Sequence, residues 1–371
     1  MADHDGWLFP LALFLFSRML LLVGLQLSFH AYAIGDTLSP RCVLPLPTNP
    51  TFQSFCCWDC GWFERIVRMG YPRLEYAQVL PLLPILGRGV STAFGILPRT
   101  ALYLVANLAS LFSYVLLYRL FRRLGGTRSA RFALAAFVAY PFHFFQAVGY
   151  AESLMVLASV WAISLAMERR HLSAGIVLGF GVLARHVCLF SGVGLLVAQL
   201  RQQGFHPRKW RLKSDLIGLV LPFVFLFAWI LFLRVQFGTW IGLHEAREAS
   251  WWGKVGRAYW GVLDVLRNVP FDTHPEYYTY MVFALLPLAG TIALCRRPAL
   301  AELAAPSVVL LIVFFLSGGV SLGRYTASCW FAFLPLGAFL NRSPRLGLVF
   351  LAVLFALQGY YFFYHPWGEI I

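Results

Sequence analysis

The sequence predicts an all-α polytopic integral membrane protein, and three observations carry that prediction. The first is composition: 60% of the 371 residues are hydrophobic and 12% are charged, about half the charged share of an ordinary soluble domain. The second is length patterning. Apolar runs fall at 8–29, 99–118, 131–149, 152–167, 172–184, 188–200, 215–236, 278–294, 299–317, 325–340 and 345–363, and at roughly 20 residues per ~30 Å hydrocarbon layer they read as about eleven crossings. The third is charge placement. With the N-terminus in the cytoplasm, the inner connections 119–131, 168–171, 201–213, 295–298 and 341–345 hold sixteen of the thirty basic residues, while eleven of the sixteen acids fall outside. That is the positive-inside asymmetry. The formal net charge of +14 therefore reports topology, and no nucleic-acid partner is expected.

Taken in order, the first run begins with Asp3 and Asp5 and exceeds a signal-peptide core, so it reads as an uncleaved anchor although Ala31-Tyr32-Ala33 resembles a cleavage site. The stretch 172–200 reads as two short helices meeting at Arg185 and His186, or as one long helix. No internal repeat and no soluble domain is visible, so residues 1–371 read as one transmembrane domain. Only the outer loops 30–98 and 237–277 are long enough to build a site.

In the first outer loop, a proline-rich stretch (Pro40, Pro45, Pro47, Pro50) precedes Trp58-Asp59-Cys60-Gly61-Trp62-Phe63-Glu64-Arg65-Ile66-Val67-Arg68-Met69-Gly70-Tyr71-Pro72. The spacing predicts an interfacial helix with Trp62, Phe63, Ile66 and Val67 on one face and Glu64, Arg65 and Arg68 on the other, stopped by Gly70 and Pro72. Asp59 has two readings. It is a favoured N-cap, with Trp58 and Phe63 forming a hydrophobic staple, or it is a carboxylate held at the membrane surface for proton transfer. Cys57 and Cys60 form a C-x-x-C, and Cys42 and Cys56 lie nearby, so a redox centre competes with structural disulfides. A carboxylate beside the thiols raises their pKa, against thiol exchange.

Trp58-Asp59-x-x-Trp62-Phe63-x-x-Ile66-Val67-x-x-Gly70-Tyr71, followed by Leu80-Pro81-Leu82-Leu83-Pro84, resembles the first lumenal loop of the PIG-V family. These are GPI mannosyltransferase 2 and its bacterial relatives, members of the GT-C glycosyltransferases. Gln78-Val79-Leu80 departs from the family's A-F-F, and Glu75 falls about one position from the family glutamate. Tyr150-Ala151-Glu152-Ser153-Leu154 resembles the P-Y-S-E-S-L element, Ala184-Arg185-His186 the T-R-x-x-G element without its glycine, and Arg324-Tyr325 with Pro335 the R-Y/F element. The ordered set spans roughly 7–340.

The resemblance implies a GT-C fold and inverting transfer of mannose from a polyprenyl- or dolichyl-phosphate-mannose donor to a lipid-linked acceptor at the outer or lumenal face. Asp59 would be the base, and Arg185 and Arg324 would hold the departing phosphate. Trp58, Trp62, Glu64, Glu152, His186, His244, Glu245 and Tyr325 are the candidate substrate-binding residues. Each also has a bland reading: an arginine at a helix end snorkels, and outer Trp and Tyr form an interfacial belt. Arg185, an arginine between apolar stretches, needs an anionic partner, either Glu152 or a lipid phosphate.

No D-x-D motif marks the inner loops, so a lipid-borne donor fits better than a nucleotide sugar. Asp59 with Glu64 or Glu75 offers carboxylates for a divalent metal, but family members of this donor type generally do without one, so the resemblance implies no metal or other cofactor. In eukaryotes the family adds the second mannose of the GPI anchor. This compact, Arg-rich chain, with only Lys209, Lys213 and Lys254 as lysines, suggests a bacterial plasma membrane rather than the endoplasmic reticulum. Eukaryotic relatives are thought to act with an accessory protein, but no docking surface is evident. The competing classes are a transporter or lipid flippase, and a membrane thiol oxidoreductase using Cys57 and Cys60.

Overall fold

The computed structural model describes residues 5–31, 55–204, 214–249, 261–272 and 274–367. The proline-rich stretch at 40–50, Cys42, and Trp251 and Trp252, which belong to the interfacial belt expected of the outer loop 237–277, lie outside the described residues. The helices are α1 (Asp5–Ala31), α2 (Asp59–Met69), α3 (Leu82–Phe94), α4 (Pro98–Gly125), α5 (Thr127–Ala139), α6 (Glu152–Met167), α7 (His171–Ala184), α8 (Gly192–Gln202), α9 (Ser214–Phe237), α10 (Gly242–Ala249), α11 (Val262–Asn268), α12 (Pro275–Cys295), α13 (Ala301–Ser317), α14 (Leu322–Thr326), α15 (Phe333–Leu340) and α16 (Pro344–Tyr364). Among the described residues, six stretches are long and apolar enough to cross a membrane: Gly6–Ala31, Pro98–Gly125, Asp215–Phe237, Pro275–Cys295, Pro298–Ser317 and Pro344–Tyr364.

Local chemistry sets the boundaries. Pro98, Pro275 and Pro344 open their helices, where a missing N–H costs nothing and the fixed φ suits the first turn. Gly126, at φ 78°, turns α4 into α5 through backbone space that only glycine enters freely.

Two expected crossings are broken. The run 131–149 is helical only to Ala139, because Pro141 disfavours helical geometry at Tyr140, which turns to ψ 130°. A 3-10 turn, His143–Gln146, and an irregular segment lead on to α6. The run 325–340 is split into α14, a 3-10 turn at Trp330–Ala332, and α15. Between α7 and α8 the chain also breaks, as the two-helix reading expects: Arg185 is extended (φ −149°, ψ 120°) and His186–Ser191 is a 3-10 turn.

Helix α4 packs against α1, α3, α5 and α6, while α6, α7 and α9 pack in sequence beside it. Small residues let the backbones approach: a Cβ on Gly175 of α7 would collide with the Gly218 carbonyl oxygen of α9. Helix α1 is tied to α4 by a buried arginine. Arg18 donates to Asn107 Oδ1 (2.6 Å), Ser110 Oγ (2.8 Å) and Ser17 Oγ (3.0 Å). Asn107 in turn donates to the carbonyl of Ala147 at 2.8 Å, fastening the broken 140–151 segment.

Candidate active site

Four charged side chains from distant parts of the sequence form one continuous chain. Asp59 opens α2, Glu152 opens α6, Arg185 follows α7, and Arg324 lies in α14. Arg324 Nη1 donates to Asp59 Oδ2 at 2.5 Å, and its Nε donates to Glu152 Oε1. Arg185 Nη2 donates to the same Glu152 oxygen. Glu152 is thus the anionic partner of Arg185, and it holds both guanidiniums at once.

Exposure falls along this chain from Asp59 through Arg324 to Glu152 and rises again at Arg185. The Glu152 side chain is 1% exposed, Arg324 9%, Arg185 18% and Asp59 45%. The buried Arg324 and the half-buried Arg185 each meet a carboxylate, as the cost of desolvating a charge requires, and the formal sum of the four is zero. Two rings frame the guanidiniums. Arg324 lies 4.4 Å from the Tyr150 ring centroid and Arg185 5.5 Å from that of Tyr325, within cation–π range. Tyr325 stacks on Phe314 at 5.2 Å.

The helix-cap reading of Asp59 is corrected. Trp58 occupies the cap position with no side-chain cap bond, and Asp59 is the first helical residue. Trp58 itself takes φ 56°, ψ −116°, a conformation that costs a β-carbon-bearing residue about 1–3 kcal/mol. Its indole Nε1 reaches the His365 carbonyl at 3.5 Å.

The expected polar face of α2 is also corrected. Arg65 and Arg68 are outward, but Glu64 is buried, accepting from Arg99 Nη2 of α4 at 3.1 Å and from Arg68 Nη2 at 2.8 Å. Phe63, Ile66 and Val67 are buried as expected, whereas Trp62 is half-buried and packs edge-on against Tyr76 at 5.1 Å. Beyond α2, the Tyr71 hydroxyl donates to the Val79 carbonyl at 3.0 Å. Burial holds that phenol above its ordinary pKa, so it is a neutral donor.

The C-x-x-C is not a disulfide pair. Cys60 is bonded to Cys56, and Cys57 is itself disulfide-bonded, so the dithiol centre expected of a thiol oxidoreductase is not formed. His186 is exposed beside the site. His244 and Glu245 sit on α10, which packs on the Leu74–Gln78 turn and on α9. Among the described residues, no hydrogen bond or ion pair joins them to the four-residue chain. Tyr150, present in the sequence only as part of a motif, is the residue that sequence reasoning missed: its hydroxyl donates to the Cys57 carbonyl at 3.1 Å and its face covers Arg324.

No protein-family profile matches the chain, and no curated protein sequence does. Solved structures do. ArnT from Cupriavidus metallidurans bound to undecaprenyl phosphate superposes with a TM-score of 0.60 at 14% identity, over 95% of this chain and 64% of that one. The apo state of ArnT gives 0.56 at 16% identity over the same shares. The apo oligosaccharyltransferase of Archaeoglobus fulgidus gives 0.52 at 14% identity, over 97% of this chain and 56% of that one. The chain therefore spans less than two thirds of the length of these proteins. The likeness shows the architecture: this is a multi-pass membrane protein, all-helical among the described residues, with the fold of the GT-C glycosyltransferases.

Proposed function

We propose that this protein is an inverting membrane glycosyltransferase that moves a hexose, mannose in the first instance, from a polyprenyl-phosphate sugar to a lipid-linked acceptor hydroxyl. The observation that carries the reading is the Asp59–Arg324–Glu152–Arg185 chain, which puts an accessible carboxylate on one guanidinium and joins it through Glu152 to a second, in a GT-C fold. One solved protein of that fold holds undecaprenyl phosphate, the leaving group of this reaction.

The charges balance through the reaction. The donor is a phosphodiester with one negative charge. Attack at the anomeric carbon forms the new glycosidic C–O bond and breaks the bond to the phosphate oxygen, while the acceptor proton goes to Asp59. The departing phosphate monoester gains a second negative charge at that moment. Neutralising Asp59 removes the counter-charge from Arg324, leaving one positive charge of the two guanidiniums unmatched by Glu152. That charge is available to the phosphate where it develops, in a site largely withdrawn from water. Phosphate leaves without a positioned acid, so the reading needs no metal or other cofactor.

The placement supports an extracytoplasmic site. Asp59, Glu152 and Arg185 lie at helix ends and Arg324 in the short α14, all on the side that the charge asymmetry puts outside, and the Cys56–Cys60 disulfide belongs to an oxidising compartment. A bacterial plasma membrane and a phosphate-linked lipid donor complete the reading. The test is to incubate the purified protein with radiolabelled polyprenyl-phosphate-mannose and a lipid extract of the source membrane. A labelled lipid product supports the reading, and labelled product from a different polyprenyl-phosphate sugar alone corrects the sugar. No product from any such donor overturns it.

A further inference from the structure

Trp58 is one of two non-glycine residues with positive φ among the described residues, and it immediately precedes Asp59. A β-carbon resists that conformation, so the surroundings must impose it. Besides the disulfide that Cys57 itself makes, three ties converge there. The Cys56–Cys60 disulfide closes a ring around Cys57, Trp58 and Asp59. The Tyr150 hydroxyl holds the Cys57 carbonyl at 3.1 Å. Gly149 N donates to the Phe55 carbonyl at 3.0 Å, and Gly149 approaches so closely that a Cβ there would sit 2.7 Å from Cys60 Sγ.

The consequence is geometric. Helix α2 begins directly after the turn, through Cys60 N to the Cys57 carbonyl (3.1 Å) and Gly61 N to the Trp58 carbonyl (3.0 Å). Asp59 therefore does not cap its own helix, and its carboxylate reaches Arg324. The segment that ties down the turn, Gly149 and Tyr150, runs straight into Glu152, so base and guanidiniums share one clamp. Cys56 and Cys60 are both buried, out of reach of a thiol partner, which suits a permanent strut and not an exchanging dithiol.

We propose that the Cys56–Cys60 disulfide is a positioning element of this site: it holds the Trp58 turn that aims Asp59 at Arg324. Opening it frees Asp59 from its guanidinium while Glu152 keeps both arginines. The effect on transfer rests on the reading of Asp59 as the base, whereas the effect on Asp59 itself does not. The bridge closes a short loop, where the entropic contribution of a disulfide to global folding is smallest, so its loss acts locally.

The experiment uses the full chain in detergent as wild type, Cys56→Ala/Cys60→Ala, and Cys188→Ala. Cys188 is a buried free cysteine and its replacement loosens the core without touching the turn. Asp59 is labelled with a water-soluble carbodiimide and an amine, and the labelling rate is read by peptide mass spectrometry. In the double variant it rises about fivefold or more, because the charge-assisted bond to Arg324 is gone, and in Cys188→Ala it does not. Where the wild type transfers sugar, kcat of the double variant falls about 10-fold or more while donor KM stays within about threefold, the signature of lost positioning. Asp59 labelling unchanged in the folded double variant, or raised equally in Cys188→Ala, overturns the proposal. Labelling that rises in the double variant alone, with a wild type that transfers no sugar, overturns the glycosyltransferase reading and leaves the strut standing.

Discussion

Arg324 reaches back 265 positions to donate to Asp59 at 2.5 Å, and the same guanidinium is held from behind by Glu152. One side chain thereby joins the accessible end of the site to its buried end. What Asp59 does chemically is felt by Arg324, and what fixes Arg324 is Glu152.

Glu152→Gln removes the only carboxylate that the described bonds give Arg185 and leaves Arg324 with Asp59 alone. Breaking a buried ion pair from one side costs about 3–5 kcal/mol, so the variant melts well below wild type in detergent. Replacing Arg185 by Leu in the same chain removes one stranded charge and recovers part of that loss. A Glu152→Gln protein as stable as wild type contradicts the arrangement.

Arg18→Met tests the polar strut between α1 and α4. It leaves Asn107 Oδ1 and Ser110 Oγ without their donor, and stranding buried polar groups costs about 1–3 kcal/mol. Denaturant unfolding in detergent reads the loss. Because Asn107 also holds the Ala147 carbonyl, proteolysis or hydrogen exchange in 140–151 increases as well.

Two glycines separate close approach from mere occurrence. Gly175→Ala drives a methyl into the Gly218 backbone, an overpacking that costs about 1–3 kcal/mol or more. Gly89→Ala, in α3, meets nothing within 4 Å and stabilises its helix by about 0.5–1 kcal/mol. Thermal shifts of opposite sign check both.

The apolar runs were legible as helices wherever nothing interrupts them, as in α1, α4, α9, α12 and α16. The breaks were less so: Pro141 marks the one at Tyr140 locally, but the groups that satisfy the carbonyls freed at the breaks are remote. At Tyr140 the freed carbonyl accepts from Gln358 of α16 at 3.1 Å, and at Ala327 it accepts from Gln146 at 2.9 Å. No local pattern announces a glutamine 218 positions away, and an apolar stretch reads the same broken or whole. Glu64 was misplaced for a similar reason: helical spacing puts it with Arg65 and Arg68, but Arg99 arrives underneath from α4. Asp59, Arg185 and Arg324 were readable from motif order, and Glu152 as one of two possible partners for Arg185. That Glu152 serves both arginines, and that the Trp58 turn denies Asp59 its cap, required the fold.

The most direct measurement compares wild type with Asp59→Asn, using labelled polyprenyl-phosphate-mannose and source-membrane lipids at equal folded protein. Asn keeps a hydrogen-bond acceptor for Arg324 but cannot take the acceptor proton. The account predicts that product formation falls by about 10²–10⁴-fold in a variant that melts near wild type. Equal product from the two proteins would contradict it, leaving Asp59 as a structural counter-ion and placing the base elsewhere.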